Sequence, residues 1–97
     1  MSIIRLIHIH IDPADADRAE HIWKAECAPL MIQQKGCISE KLLRCSDTPG
    51  EYISYSEWDS AENLEAYRNS AAHQEIIAHT SGLRNADAHV KCYATVT

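Results

Sequence analysis

Ser54, Ser56, Trp58, Tyr67 and His73 are residues that could do chemistry, and they fall within one short part of this 97-residue chain. Alternation by two places Tyr52, Ser54, Ser56 and Trp58 on one face of a strand, with Ile53, Tyr55 and Glu57 on the other. Two small hydroxyls between two large aromatics leave room beside an indole, which is one way to build a small pocket. There a serine donates to a substrate oxygen, an indole stacks on a ring, and a histidine titrating near neutral pH moves a proton. The competing reading is an ordinary strand whose small residues let a helix approach closely. Trp58 is then core, and His73 ties a helix to the sheet through backbone hydrogen bonds. Trp23 and Tyr67 face the sheet by helical periodicity, either as core or closing the pocket from the helix side.

Other candidate groups point to less. His8 and His10 share a strand face about 7 Å apart, a separation that permits two metal ligands. No third ligand follows from the spacing, so no metal site is expected. Cys27, Cys37, Cys45 and Cys92 have no C-x-x-C spacing and read as small buried side chains in a reducing compartment. Asp12, Asp15 and Asp17 read as a cap and partners for a helix dipole.

The totals narrow the function classes. The net charge of −5 comes from 14 acids against 9 scattered bases, so no basic face for nucleic acid is visible. No apolar run approaches the roughly 18–20 residues that span a bilayer. Met1–Arg5 has no basic and apolar leader pattern. The expectation is a soluble, cytoplasmic protein forming a single domain over residues 1–97, with an apolar fraction of 45% that argues against disorder.

The elements that must hold these residues follow in order. Residues 2–11 are β-branched and apolar on both parities, a strand covered on both faces, with Ile3, Ile7, Ile9 and Ile11 on the oilier side. Asp12-Pro13 starts a helix whose stripe is Ala19, Ile22, Trp23, Cys27, Leu30 and Met31. Pro29 inside that stripe predicts a kink or break near residues 25–29, and Gly36 a left-handed exit. Cys37–Ser46 is a second strand, and Asp47–Gly50 the turn into the third. Ser60 caps a helix beginning near Ala61, and Asn69-Ser70 caps a second helical piece over Ala71–Thr80, ended by Gly82. Ala86–Val96 is the last strand.

The resulting order, β-α-β-β-α-β with right-handed crossovers, is α+β and ferredoxin-like: a four-stranded antiparallel sheet with both helices on one face. Ile4, Leu6, Ile53 and Tyr55 on the bare face need cover, which predicts a homodimer packed sheet to sheet.

The run Tyr55-Ser56-Glu57-Trp58-Asp59-Ser60-Ala61-Glu62-Asn63-Leu64-Glu65-Ala66-Tyr67, then Ser70-Ala71-Ala72-His73, resembles the antibiotic biosynthesis monooxygenase domain family. The helix exit Lys35-Gly36-Cys37-Ile38-Ser39 is similar too. The resemblance implies a dimeric α+β barrel of ferredoxin-like protomers, each with a pocket between sheet and helices. It also implies cofactor-free oxidation of a small phenolic, quinol or polyketide-like aromatic by O₂, in which the substrate anion itself reduces oxygen. No metal, flavin or haem is expected, and no nucleic-acid or membrane partner. By matching position Trp58 and His73 become the catalytic candidates, and Ser54, Ser56, Tyr67 and Trp23 the substrate contacts. Some aromatic-oxidising members carry an Asn four residues before the Trp. Ser54 stands there in this chain, a donor with a shorter reach. The haem-degrading branch uses an Asn on the first strand and a His late in the second helix, where this chain has Ile7 and about Ile77, with His79 nearby. Two further readings are a non-catalytic, metabolite-binding or pathway-accessory dimer, and a non-oxidative isomerase of a small carbonyl compound. Fold alone does not choose among them.

Overall fold

The computed structural model describes residues 2–80 and 88–96. Four strands, β1 (Ile3–His10), β2 (Cys37–Arg44), β3 (Glu51–Trp58) and β4 (His89–Ala94), form one antiparallel sheet in the order β2-β3-β1-β4. The helical segments are α1 (Ala16–Ile22), α2 (Ala28–Ile32), α3 (Ala61–Arg68) and α4 (Ala71–Thr80). They cover one sheet face. On that face Tyr52, Ser54, Ser56 and Trp58 of β3, and Arg5, Ile7 and Ile9 of β1, are buried. The period-two reading of β3 therefore holds along its whole length.

Local chemistry sets the boundaries. The Asp12 carboxylate accepts from the Ala14 N–H at 2.9 Å, and Pro13 opens a 3₁₀ turn that leads into α1. The break expected near residues 25–29 is a π-helical turn, Trp23–Cys27, between α1 and α2. Pro29 explains it. Proline has no N–H for the Ala25 carbonyl, and its ring crowds that carbonyl in a regular helix. A wider turn relieves the crowding, and Pro29 then sits in the first turn of α2, where the missing donor costs nothing.

Gly36 follows with φ +87°, the left-handed exit, and its carbonyl accepts from the Asp59 N–H at 2.8 Å. Gly50, φ +86°, closes the β2–β3 hairpin, and its carbonyl accepts from the Ile11 N–H at 2.7 Å. Strand β2 ends at Arg44, short of the expected Ser46, because the turn takes over there. Strand β4 spans His89–Ala94, within the expected range, while Gly82 and the start expected at Ala86 lie outside the described residues.

The buried side chains form two clusters. One holds Cys27, Met31, Trp58, Leu64, Tyr67 and Ile76, and the other Ile7, Ile9 and Tyr52. No described element covers the opposite sheet face. Ile4, Leu6, Ile53 and Tyr55 are half-buried there, and Leu43 and Tyr93 are exposed. His10 faces Glu51 at 3.6 Å, and His8 stands opposite His89 in the ladder. Among the described residues no three metal-ligating side chains come together. Nor is any described helix long and apolar enough to cross a membrane.

Candidate functional site

A cavity of about 60 Å³ lies between the sheet and the helices, walled by members of both buried clusters. Ser54, Ser56, Tyr67, Trp23 and His73 all line it, so five residues singled out from the sequence share one chamber. The sixth, Trp58, does not line it. Its side chain is fully buried, the indole Nε1 donates to the Ser56 Oγ at 2.9 Å, and the ring stacks on Tyr67 with centroids 4.9 Å apart. Trp58 thus supports the wall from outside the chamber.

The alignment of these rings comes from two serine caps. The Ser60 Oγ accepts from the Asn63 N–H at 3.2 Å, starting α3 where β3 ends. The Ser70 Oγ donates to the Tyr67 carbonyl at 2.6 Å and accepts from the His73 N–H at 3.2 Å. One hydroxyl therefore joins the end of α3 to the start of α4, which gives the Ser-x-x-His spacing a physical reason. It sets the His73 imidazole edge-on to Tyr67, with centroids 5.0 Å apart and planes at 73°. Ser56, Trp58, Tyr67 and His73 form one continuous series of contacts.

Two features escaped the sequence reading. Arg5 is only 7% exposed and lines the cavity from β1. Its signal was present: it is the charged member of the odd, oily face of that strand. The second feature is a polar network that reaches the chamber wall through Tyr52. The Arg44 guanidinium donates to both Glu20 oxygens, at 2.8 and 2.5 Å, and the Tyr52 hydroxyl donates to Glu20 at 2.5 Å. Hydrogen bonds from Arg44, then from Tyr52, hold the Glu20 carboxyl down at about 2. Burial, then the neighbouring Glu20, pushes the Tyr52 hydroxyl up. No spacing in the chain announces this network, since its members come from α1, β2 and β3.

An outer cleft of about 400 Å³ lies over the same network, and Trp23, Leu42 and Tyr52 border both spaces. Elsewhere burial raises the Glu40 carboxyl, and burial together with Glu40 raises the Cys37 thiol. Ile7 and Ile77, at the positions compared with the haem-degrading branch, both line the cavity, while His79 lies 3.8 Å from Glu26 and from Glu75.

Solved structures share this architecture. A candidate antibiotic biosynthesis monooxygenase from Bordetella bronchiseptica superposes with a TM-score of 0.87 at 22% identity, covering 99% of this chain and 98% of the other. One from Caulobacter crescentus gives 0.86 at 17% identity, covering 99% and 91%. A Mycobacterium tuberculosis protein gives 0.81 at 18% identity, covering 100% and 97%. These likenesses speak to the fold. No curated protein matches the chain significantly. The profile of the antibiotic biosynthesis monooxygenase family matches residues 2–79, which hold nearly every residue of the site just described. The chain belongs to the antibiotic biosynthesis monooxygenase family.

Proposed function

We propose that this protein is a cofactor-independent monooxygenase acting on a small phenolic, quinol or polyketide-like aromatic, and that it works as a homodimer. The observation that carries the reading is the gathering of Ser54, Ser56, Tyr67 and His73 on one largely apolar chamber. In this reading His73 takes the substrate's acidic proton and Ser54 holds the oxygen that becomes an anion. Apolar walls strip water from that anion and leave its electrons available to O₂. For a ring methylene the sum is CH₂ plus O₂ giving C=O plus water, so the substrate supplies all the electrons.

The volume sets a demand. About 60 Å³ is well below the roughly 150 Å³ apolar cavity known to hold benzene. A ring is admitted only if lining side chains move, and Ile77, 37% exposed, is placed to do so. The same small volume favours the second reading, a site for a small carbonyl metabolite that is bound or isomerised without oxidation. The dimer rests on the uncovered face around Ile4, Leu6, Ile53 and Tyr55.

Oxygen uptake with a panel of hydroquinones of graded size, under chelator, tests the reading. Uptake with the smaller members is expected, and His73→Ala should lower kcat by about 10²–10³ with the fold intact by circular dichroism. Uptake that survives this substitution unchanged, or none with any member, refutes it.

A further inference from the structure

The chamber and the outer cleft share a wall. Trp23, Leu42 and Tyr52 border both spaces, while Glu20, Leu43 and Arg44 border only the cleft of the two. The chamber holds about 60 Å³ and the cleft about 400 Å³, against the roughly 150 Å³ of an apolar cavity that takes benzene. The cleft therefore has room for a ring as it stands, and the chamber has room only for a substituent.

The surfaces of the cleft suit a flat ring. Trp23 opens the π turn Trp23–Cys27, a helical irregularity that recurs at functional sites. The Tyr52 ring is held in place by its hydroxyl, which donates to Glu20. Arg44 spends its Nε and one terminal nitrogen on the two Glu20 oxygens. Those bonds lie in the plane of the guanidinium. An aromatic ring stacks on the face of that plane, so it asks no further donor of the arginine.

We infer that the outer cleft is the ring-binding half of a two-compartment site. A planar aromatic lies there against Trp23 and Arg44, and its one small polar group passes the Leu42–Tyr52 wall into the chamber. The inference rests on the chamber being the substrate site and adds where the bulk of the substrate sits. It also removes the need for the chamber to expand around a ring. Arg44 and Trp23 are thus binding residues for the ring, while Ser54 and His73 meet only its polar group.

Binding of 2-naphthol to methyl-labelled protein tests this by NMR without turnover. Nuclear Overhauser contacts are expected between the probe's ring protons and the Leu43 methyls, which border the cleft and not the chamber. Contacts confined to Ile7 and Ile76, which line the chamber alone of the two, overturn the inference, as does absence of binding. Arg44→Ala should weaken binding by about fivefold to tenfold. Glu20→Gln keeps the guanidinium face and should stay within about twofold of wild type. Equal losses in the two variants, or none in folded Arg44→Ala, also overturn it. The contacts in the wild-type protein decide the matter even if Arg44→Ala does not fold. Oxygen uptake with the ring seated among Ile7 and Ile76 would leave the oxygenase reading standing and remove this one. A ring at Leu43 without uptake would do the reverse.

Discussion

Replacing Glu20 with Gln removes one charge from the network that meets the chamber at Tyr52. In the folded chain Arg44 grips both carboxylate oxygens and Tyr52 donates to one of them. The carboxyl is held at about 2, against an ordinary value of 4.5. A depressed carboxylate adds stability that is fully present above the unfolded value near 4.5 and is lost as pH falls toward 2. Converted in full at about 1.4 kcal/mol per tenfold, the effect would reach about 3 kcal/mol. The Arg44 side chain is 66% exposed, however, so solvent screens the pair, and about 1–2 kcal/mol is the figure to expect. Urea denaturation of both proteins at one fixed chain concentration, stepped from neutral to acid pH, measures it. Glu20→Gln should be less stable by that amount at neutral pH, with the gap closing as pH drops through the carboxylate range. A gap that acid leaves unchanged would show that the carboxylate's charge is not the source of the stability, and no gap at neutral pH would show that the network does not hold the fold.

Two further outcomes follow from the geometry. Gly36→Ala should cost about 2–4 kcal/mol in thermal or urea unfolding, because at φ +87° its new Cβ would lie 2.5 Å from the Asn63 Cβ and 2.6 Å from the Asp59 Oδ1. A loss below about 1 kcal/mol would mean that the start of α3 yields without strain. Ile53→Glu on the uncovered sheet face should turn a two-chain particle into a single chain in sedimentation, with far-ultraviolet dichroism unchanged. Unaltered mass, or a wild type that is already monomeric, argues against that face as the interface.

Much of the scaffold was legible because its causes are local. The alternation of β3, the Ser60 and Ser70 caps, the Gly36 exit and the Gly50 turn each depend on residues a few positions apart. Pro29 announced trouble in the first helix, although its resolution as a π turn depended on how the chain repacked around it. Tyr67 and His73 were likewise readable as neighbours, since one serine links the two helices that carry them. The role expected for Trp58 was less readable. Its parity showed that it faces the helices, but whether its indole reaches the chamber depends on Tyr67, which stacks on it and itself lines the chamber.

Residue type and spacing thus determined the order of elements, the faces of β1 and β3, and which side chains could meet beneath the helices. Tertiary structure alone decided that Glu20, Arg44 and Tyr52 join across three elements and that the chamber is only about 60 Å³. The physical reason is range. Periodicity and capping act over a few bonds and are written in neighbouring residues. Juxtaposition across strands distant in the chain follows from ladder register and helix packing, which no short stretch encodes.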